Sequence, residues 1–179
     1  MSSLITPFEG NERSASIPIA VAALSLSAAG LVSIALHEGY SDQAIVPMPG
    51  DRPTIGFGST TKADGSAVRL GDRTTPSKAL ERALRDIERF DTALKACVHV
   101  PLHQHEYDAY LEHAYNVGGK AFCSSTMVKL LNASDYEKAC AQFERWTYFQ
   151  GKDCRLAENK CAGLVQRRAR QRARCDGRL

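Results

Sequence analysis

LHEGYSDQAIVPMPGDRPTIGFG, residues 36–58, joins an apolar run to a short alternating segment through a turn-rich connection. Glu38 closes the apolar run and Gly39 follows at once, the pattern of a helix that ends on a carboxylate. Sixteen residues beyond the acid, Thr54 opens TIGFG, whose alternation and glycines at 56 and 58 read as a strand. Between them Pro47, Pro49, Gly50, Asp51 and Pro53 punctuate a loop. An acid at a helix end that faces a small sheet across a cleft suits chemistry on a polar substrate. A Glu-Gly helix end by itself is ordinary capping, so the weight falls on the whole arrangement.

The surrounding motifs carry a resemblance. HEGY, PTIGFGST, AYNVGG, FCSST, LLN, a lone tryptophan and GLVQRR follow one another from Leu36 to the C-terminus. In that order they resemble the phage-type lysozymes (endolysins) of glycoside hydrolase family 24. The resemblance implies an α+β lysozyme-like fold, a small antiparallel β lobe beside a larger helical lobe. It implies hydrolysis of the β-1,4 bond between N-acetylmuramic acid and N-acetylglucosamine in peptidoglycan, lysis of a bacterial host, no cofactor and no metal. Glu38 matches the family's general acid, and Thr54 the threonine that helps hold a water. The family's aspartate, nine positions beyond the acid, is here Pro47. Asp51, three residues before Thr54, is the nearest acidic replacement, whereas Asp42 lies too close to the helix end. The candidate catalytic set is therefore Glu38, Asp51 and Thr54.

The chemistry of these residues fits the same reaction. Glycoside hydrolysis needs a proton for the leaving oxygen and stabilisation of an oxocarbenium-like centre. An apolar helix and the negative end of its dipole both disfavour charge on Glu38, which suits a proton donor. With Asp51 in the cleft, two widely spaced carboxylates would favour inversion. With Glu38 alone, a lytic transglycosylase, in which a hydroxyl of the sugar attacks, is the alternative. A non-catalytic peptidoglycan-binding protein is another. GFGST lacks the lysine of a P-loop, and no dinucleotide fingerprint is present.

Length and composition narrow the class. A chain of 179 residues with 44% hydrophobic residues is one domain with room for a proper core. Its net charge of +3 is too mild to imply nucleic acid. Arg155, Arg167, Arg168, Arg170, Arg172, Arg174 and Arg178 crowd the C-terminal quarter, but wrap around a helix rather than forming one stripe. The reading is of a monomer with peptidoglycan strands as partner and no nucleic acid.

Residues 1–16 are polar and are expected to be a poorly ordered tail. Residues 17–36, IPIAVAALSLSAAGLVSIAL, carry no charge and as one helix would span about 30 Å, the thickness of a bilayer core. Alanine, serine and glycine make insertion marginal. Three readings stay open: a buried first helix, a cleaved signal, or a weak signal-anchor. The last resembles the signal-arrest-release segment of some endolysins. It implies a protein tethered inactive to the host inner membrane and then freed into the periplasm. Residues 37–179 form the catalytic domain in each reading.

Further along, residues 54–60 and 67–70 read as antiparallel strands turned at Asp64-Gly65. Thr75-Pro76 starts a helix whose apolar face is Leu80, Leu84, Ile87, Phe90 and Leu94. Residues 104–117, ended by Gly118-Gly119, form the central helix, with Tyr107, Tyr110, Leu111, Ala114 and Tyr115 supplying bulk. Ser134 opens a capping box before a helix to Trp146, a core anchor, and 162–175 is the closing helix. His103 and His105, two apart, fall on different helix faces and form no metal pair. The six cysteines show no zinc spacing and favour disulfides. Spacing leaves the connectivity open; the preferred pairs are Cys97–Cys123, Cys154–Cys161 and Cys140–Cys175.

Overall fold

The computed structural model describes residues 17–48 and 50–179, so the expected tail at 1–16 lies outside the described residues. The apolar run is not one long helix. Ile19 pairs with Leu102, a 3-10 turn covers Val21–Ala23, and α1 (Ala28–Glu38) starts only after Ser27. Ser27 stops the helix because its hydroxyl caps the Gly30 N–H at 3.0 Å while its own N–H donates to Asp108. Val21, Leu24 and Ile34 from this run lie in the main core. Among the described residues no helix is long and apolar enough to cross a membrane.

The β lobe pairs β1 (Ser41–Ile45) with β2 (Thr54–Gly56), antiparallel and with an irregular register between Ser41 and Ile45. Sequence reading had no strand at 41–45, because SDQAI is an edge strand with one buried residue, Ala44. The expected Asp64-Gly65 turn forms, held by a Thr61–Ala67 bridge, and Gly65 takes φ +82°.

α2 (Pro76–Cys97) begins as expected, with Thr75 as cap. Its buried face differs from the expected one: Ala79, Ala83, Ile87 and Leu94 point inward, and Leu80 and Leu84 are exposed. The reason is close approach. A Cβ on Gly56 would stand 2.7 Å from the Ala79 methyl, so only a small side chain fits where β2 meets this helix.

α3 (Gln104–Val117) is the centre of the helical lobe, with Tyr107, Tyr110, Leu111 and Ala114 fully buried. α4 (Gly119–Cys123) and α7 (Ala162–Cys175) pack against it, while α5 (Thr126–Asn132) and α6 (Tyr136–Ala141) pack on each other and reach α4 and α7. Asp135, not Ser134, is the cap of α6; Ser134 takes φ 61° instead. A 3-10 turn, Gln142–Arg145, carries the chain to Trp146, and β3 (Tyr148–Phe149) with β4 (Lys152–Asp153) makes a hairpin before α7. The three preferred disulfides are the observed ones, all in the helical half.

Candidate active site

Glu38 is the last residue of α1, released into the cleft by Gly39, whose φ of 70° ends the helix. The acid is partly exposed. A cavity of about 400 Å³ lies between it and the β lobe, lined by Glu38, Tyr40, Ser41, Ile45, Pro47 and Thr54. A second recess of about 210 Å³ continues on the other side of Glu38, past Gly58 and Thr60 to Asp86, Arg89, Phe90 and Tyr115. Gly58 has φ +82°, and a Cβ there would meet the Glu38 carboxylate at 3.4 Å, so a glycine lets the strand pass beside the acid.

Thr54 and Glu38 therefore share one cleft, as expected from sequence. Asp51 does not line it. That residue is exposed, in a turn whose backbone N–H donates to the Met48 carbonyl at 3.0 Å. Asp42 is also exposed on β1, while Pro47, at the position of the family's aspartate, forms part of the cavity wall. The second acid on the cleft walls is Asp86, already engaged by Ser59 Oγ at 2.7 Å and Arg89 Nη2 at 2.5 Å.

A buried charge network stands behind Glu38. Arg167 on α7 donates from Nη2 to Glu38 Oε1 at 3.0 Å, and its Nε lies 3.5 Å from Glu112 Oε1. Glu112, on α3, is 2% exposed and accepts from Ser33 Oγ and Gln171 Nε2, each at 2.8 Å. His37 Nδ1 lies 3.7 Å from Glu112 and donates to the Ser33 carbonyl at 2.7 Å. The arrangement matters for acid chemistry. When a proton sits on Glu38, Arg167 keeps Glu112 as partner, so the neutral acid strands no buried cation. Sequence reasoning gave Arg167 and Glu112 no role. The GLVQRR motif contains Arg167, but arginines at nearly every second position of α7 hid which one turns inward.

Deeper in the same lobe, His113 is fully buried and edge-on to Phe143 and Trp146 at centroid distances of 5.1 and 4.9 Å. Burial pushes its imidazole well below the usual range, and Arg168 and Arg167 push the same way.

The profile described as phage lysozyme matches residues 35–171, from the last turn of α1 into α7, and takes in every residue of this site but Ser33. The chain belongs to the phage lysozyme family. Within that family, it is 34% identical over 155 residues to the endolysin of Salmonella phage P22, covering 84% of this chain and 97% of that protein. A SAR-endolysin of Pseudomonas phage phiKMV is 29% identical over 160 residues, covering 88% and 91%. Among solved structures, a crystal structure of a P22 lysozyme mutant superposes with TM-score 0.72 at 33% identity, covering 84% and 97%. The muramidase domain of SpmX from Asticaccaulis excentricus gives TM-score 0.72 at 28% identity, covering 85% and 97%. The lysozyme-like α+β fold and the assignment of this family member as a peptidoglycan-hydrolysing enzyme stand on these matches together.

Proposed function

We propose that this phage lysozyme acts as an endolysin in which Glu38 protonates the oxygen leaving the N-acetylmuramic acid C1, and Thr54 positions the attacking water. One observation carries this: Glu38 and Thr54 face a common 400 Å³ cavity wide enough for a sugar ring. Asp51, exposed on the loop between Pro47 and Thr54 and outside this cavity, is the acid that the sequence alone offers as activator of that water. The test is turbidity loss of cell-wall suspensions with product analysis. Glu38→Gln should lower the rate by at least about 10²-fold, the scale of general acid catalysis. Asp51→Asn should lower it by about tenfold. Near-normal activity of Glu38→Gln overturns the acid assignment, and a 1,6-anhydro product overturns hydrolysis.

The same reading includes a membrane-tethered stage. Residues 17–36 would first insert as a weak signal-anchor and hold Glu38 at the membrane face, then leave the bilayer and dock as the segment that ends in α1. Two features support it. The run is uncharged and long enough to span, and its small polar residues find partners on α3 once docked: Ser27 with Asp108 and Ser33 with Glu112. Ala22, Ala23 and Ser25 are exposed, so leucine at all three raises hydrophobicity without touching the docked contacts. That triple variant should stay in the membrane fraction and delay lysis; release and lysis on the normal schedule would sink the tethered stage.

A further inference from the structure

A separate cavity of about 410 Å³ opens between the β lobe and the N-terminal half of α2. Neither Glu38 nor Thr54 lines it. Its walls carry five cations, Lys62, Arg73, Lys78, Arg82 and Arg85, against Asp64 and Glu81. The acids do little to neutralise them. Asp64 is turned to its own loop, accepting from the Ser66 N–H at 2.9 Å and the Ser66 hydroxyl at 2.6 Å. Among the described residues Lys62 has an ion-pair partner, Asp72 at 3.7 Å, and Arg73, Lys78, Arg82 and Arg85 have none. The Nε and Nη1 of Arg82 are shielded from solvent and make no hydrogen bond.

Arg167 Nε and Arg174 Nη1 on α7 are also shielded without a hydrogen bond, but each lies within 4.0 Å of a Glu112 carboxylate oxygen, whereas Arg82 has no ion-pair partner among the described residues. On α7 the inward arginines are used: Arg167 by Glu38 and Glu112, Arg168 by the Trp146 carbonyl and Asn116, Arg172 by Asp176. A guanidinium with two dry, unpaired donors costs stability unless an anion completes it. A carboxylate takes two parallel bonds from one edge of such a group, Nε with Nη2 or Nη1 with Nη2.

We infer that this cavity is an anion site for the free carboxylates of the peptides borne by the muramic acid residues of peptidoglycan. The inference rests on the muramidase reading above. Continuity with the glycan cleft selects that ligand. Thr60 borders the recess beside Glu38 and Lys62, two residues on, borders the cationic cavity, about 7 Å away at the rise of an extended chain. Along α2, Arg85 of one cavity adjoins Asp86 of the other. A peptide of four residues reaches about 13 Å when extended, longer than the step of about 7 Å between Thr60 and Lys62. The polymer therefore presents a carboxylate wherever it presents a muramyl residue, and the site grips the substrate without touching the bond that breaks.

The experiment measures initial rates on two polymers made from the same sacculi, one with peptides and one stripped of them by an amidase. For the wild type, the KM should be lower on the peptide-bearing polymer. Arg82→Gln with Arg85→Gln should raise that KM about tenfold, the loss of roughly one charged hydrogen bond, with kcat within about twofold. The KM on the stripped glycan should not move. Lys78→Gln, a change at an exposed position, should act in the same direction and guards against a folding defect in the Arg82 variant. In a parallel titration the free acidic peptide should shift the backbone amides of Lys62 and Arg85 at lower concentration than inorganic phosphate. Equal KM values on both polymers, equal effects of the variants on both, or tighter binding of phosphate would each overturn the site. A wild type that cleaves neither polymer would instead overturn the muramidase reading.

Discussion

The helical lobe seals Tyr107, Tyr110, Phe122 and Phe143 completely and contains all three disulfides; the separate core of the β lobe is Ala44, Ile55 and Val68. The two sides of the cleft therefore rest on unequal foundations. Glu38 is fixed to the stronger side, through α1 and the Arg167–Glu112 network. Thr54 belongs to the weaker side, which is tied across by Ser59 to Asp86 and by the Tyr115 hydroxyl to the Phe57 carbonyl at 3.4 Å. The acid is thus tied into the larger packed lobe, and the wall opposite into the smaller one.

The largest effect should come from the covalent frame. Replacing both Cys140 and Cys175 by serine should cost about 2–5 kcal/mol of unfolding free energy in urea. A change below about 0.5 kcal/mol would show that packing around Tyr110, whose hydroxyl lies 3.2 Å from Cys175 Sγ, already fixes this lobe. Next, paired truncations test whether the lobes are unequal. Leu111→Ala should cost about 2–5 kcal/mol globally. Ile55→Ala should move the urea midpoint less, yet speed amide exchange across β1 and β2 by about tenfold or more. Equal midpoint shifts would mean that the two lobes open as one unit.

The smallest effect is a pH dependence lodged in the helical lobe. His113 is buried in its neutral form, and burial holds its folded pKa well below the usual imidazole range. The unfolded chain takes up a proton as pH falls below about 6.5, and the folded chain does not. Stability is thus intact above that pH and declines as pH drops through it, by up to about 1.4 kcal/mol per pH unit. His113→Phe should flatten that decline. An unchanged acid slope in urea melts would assign it to other groups.

Much of this was legible in the residues because local signals and packing agreed. Thr75-Pro76, Gly118 and the Tyr107–Tyr110–Leu111–Ala114 spacing each set an element boundary or a core face by themselves. The misreadings share a cause: a neighbour far along the chain decided them. Leu80 and Leu84 lost the inward face to Ala79 and Ala83 because Gly56 approaches there. Residues 17–27 lost their helix because Ser27 found Asp108, 81 positions away. At the site, the Glu38–Thr54 pairing was visible as a motif, whereas Arg167 could be singled out only once α7 lay against α3 and brought it to Glu38 across 129 positions.

Ser27 and Ser33 have a double meaning if residues 17–36 do exchange between bilayer and protein. The exchange is a partition between two solvents, lipid and the carboxylate-bearing face of α3. A hydroxyl raises the free energy in the first and lowers it in the second. Substituting one such serine by leucine therefore tilts the partition twice, once through each phase, whereas leucine at Ser25 tilts it once. The difference between Ser25→Leu and Ser33→Leu in the fraction released would read out the α3 side of the partition alone.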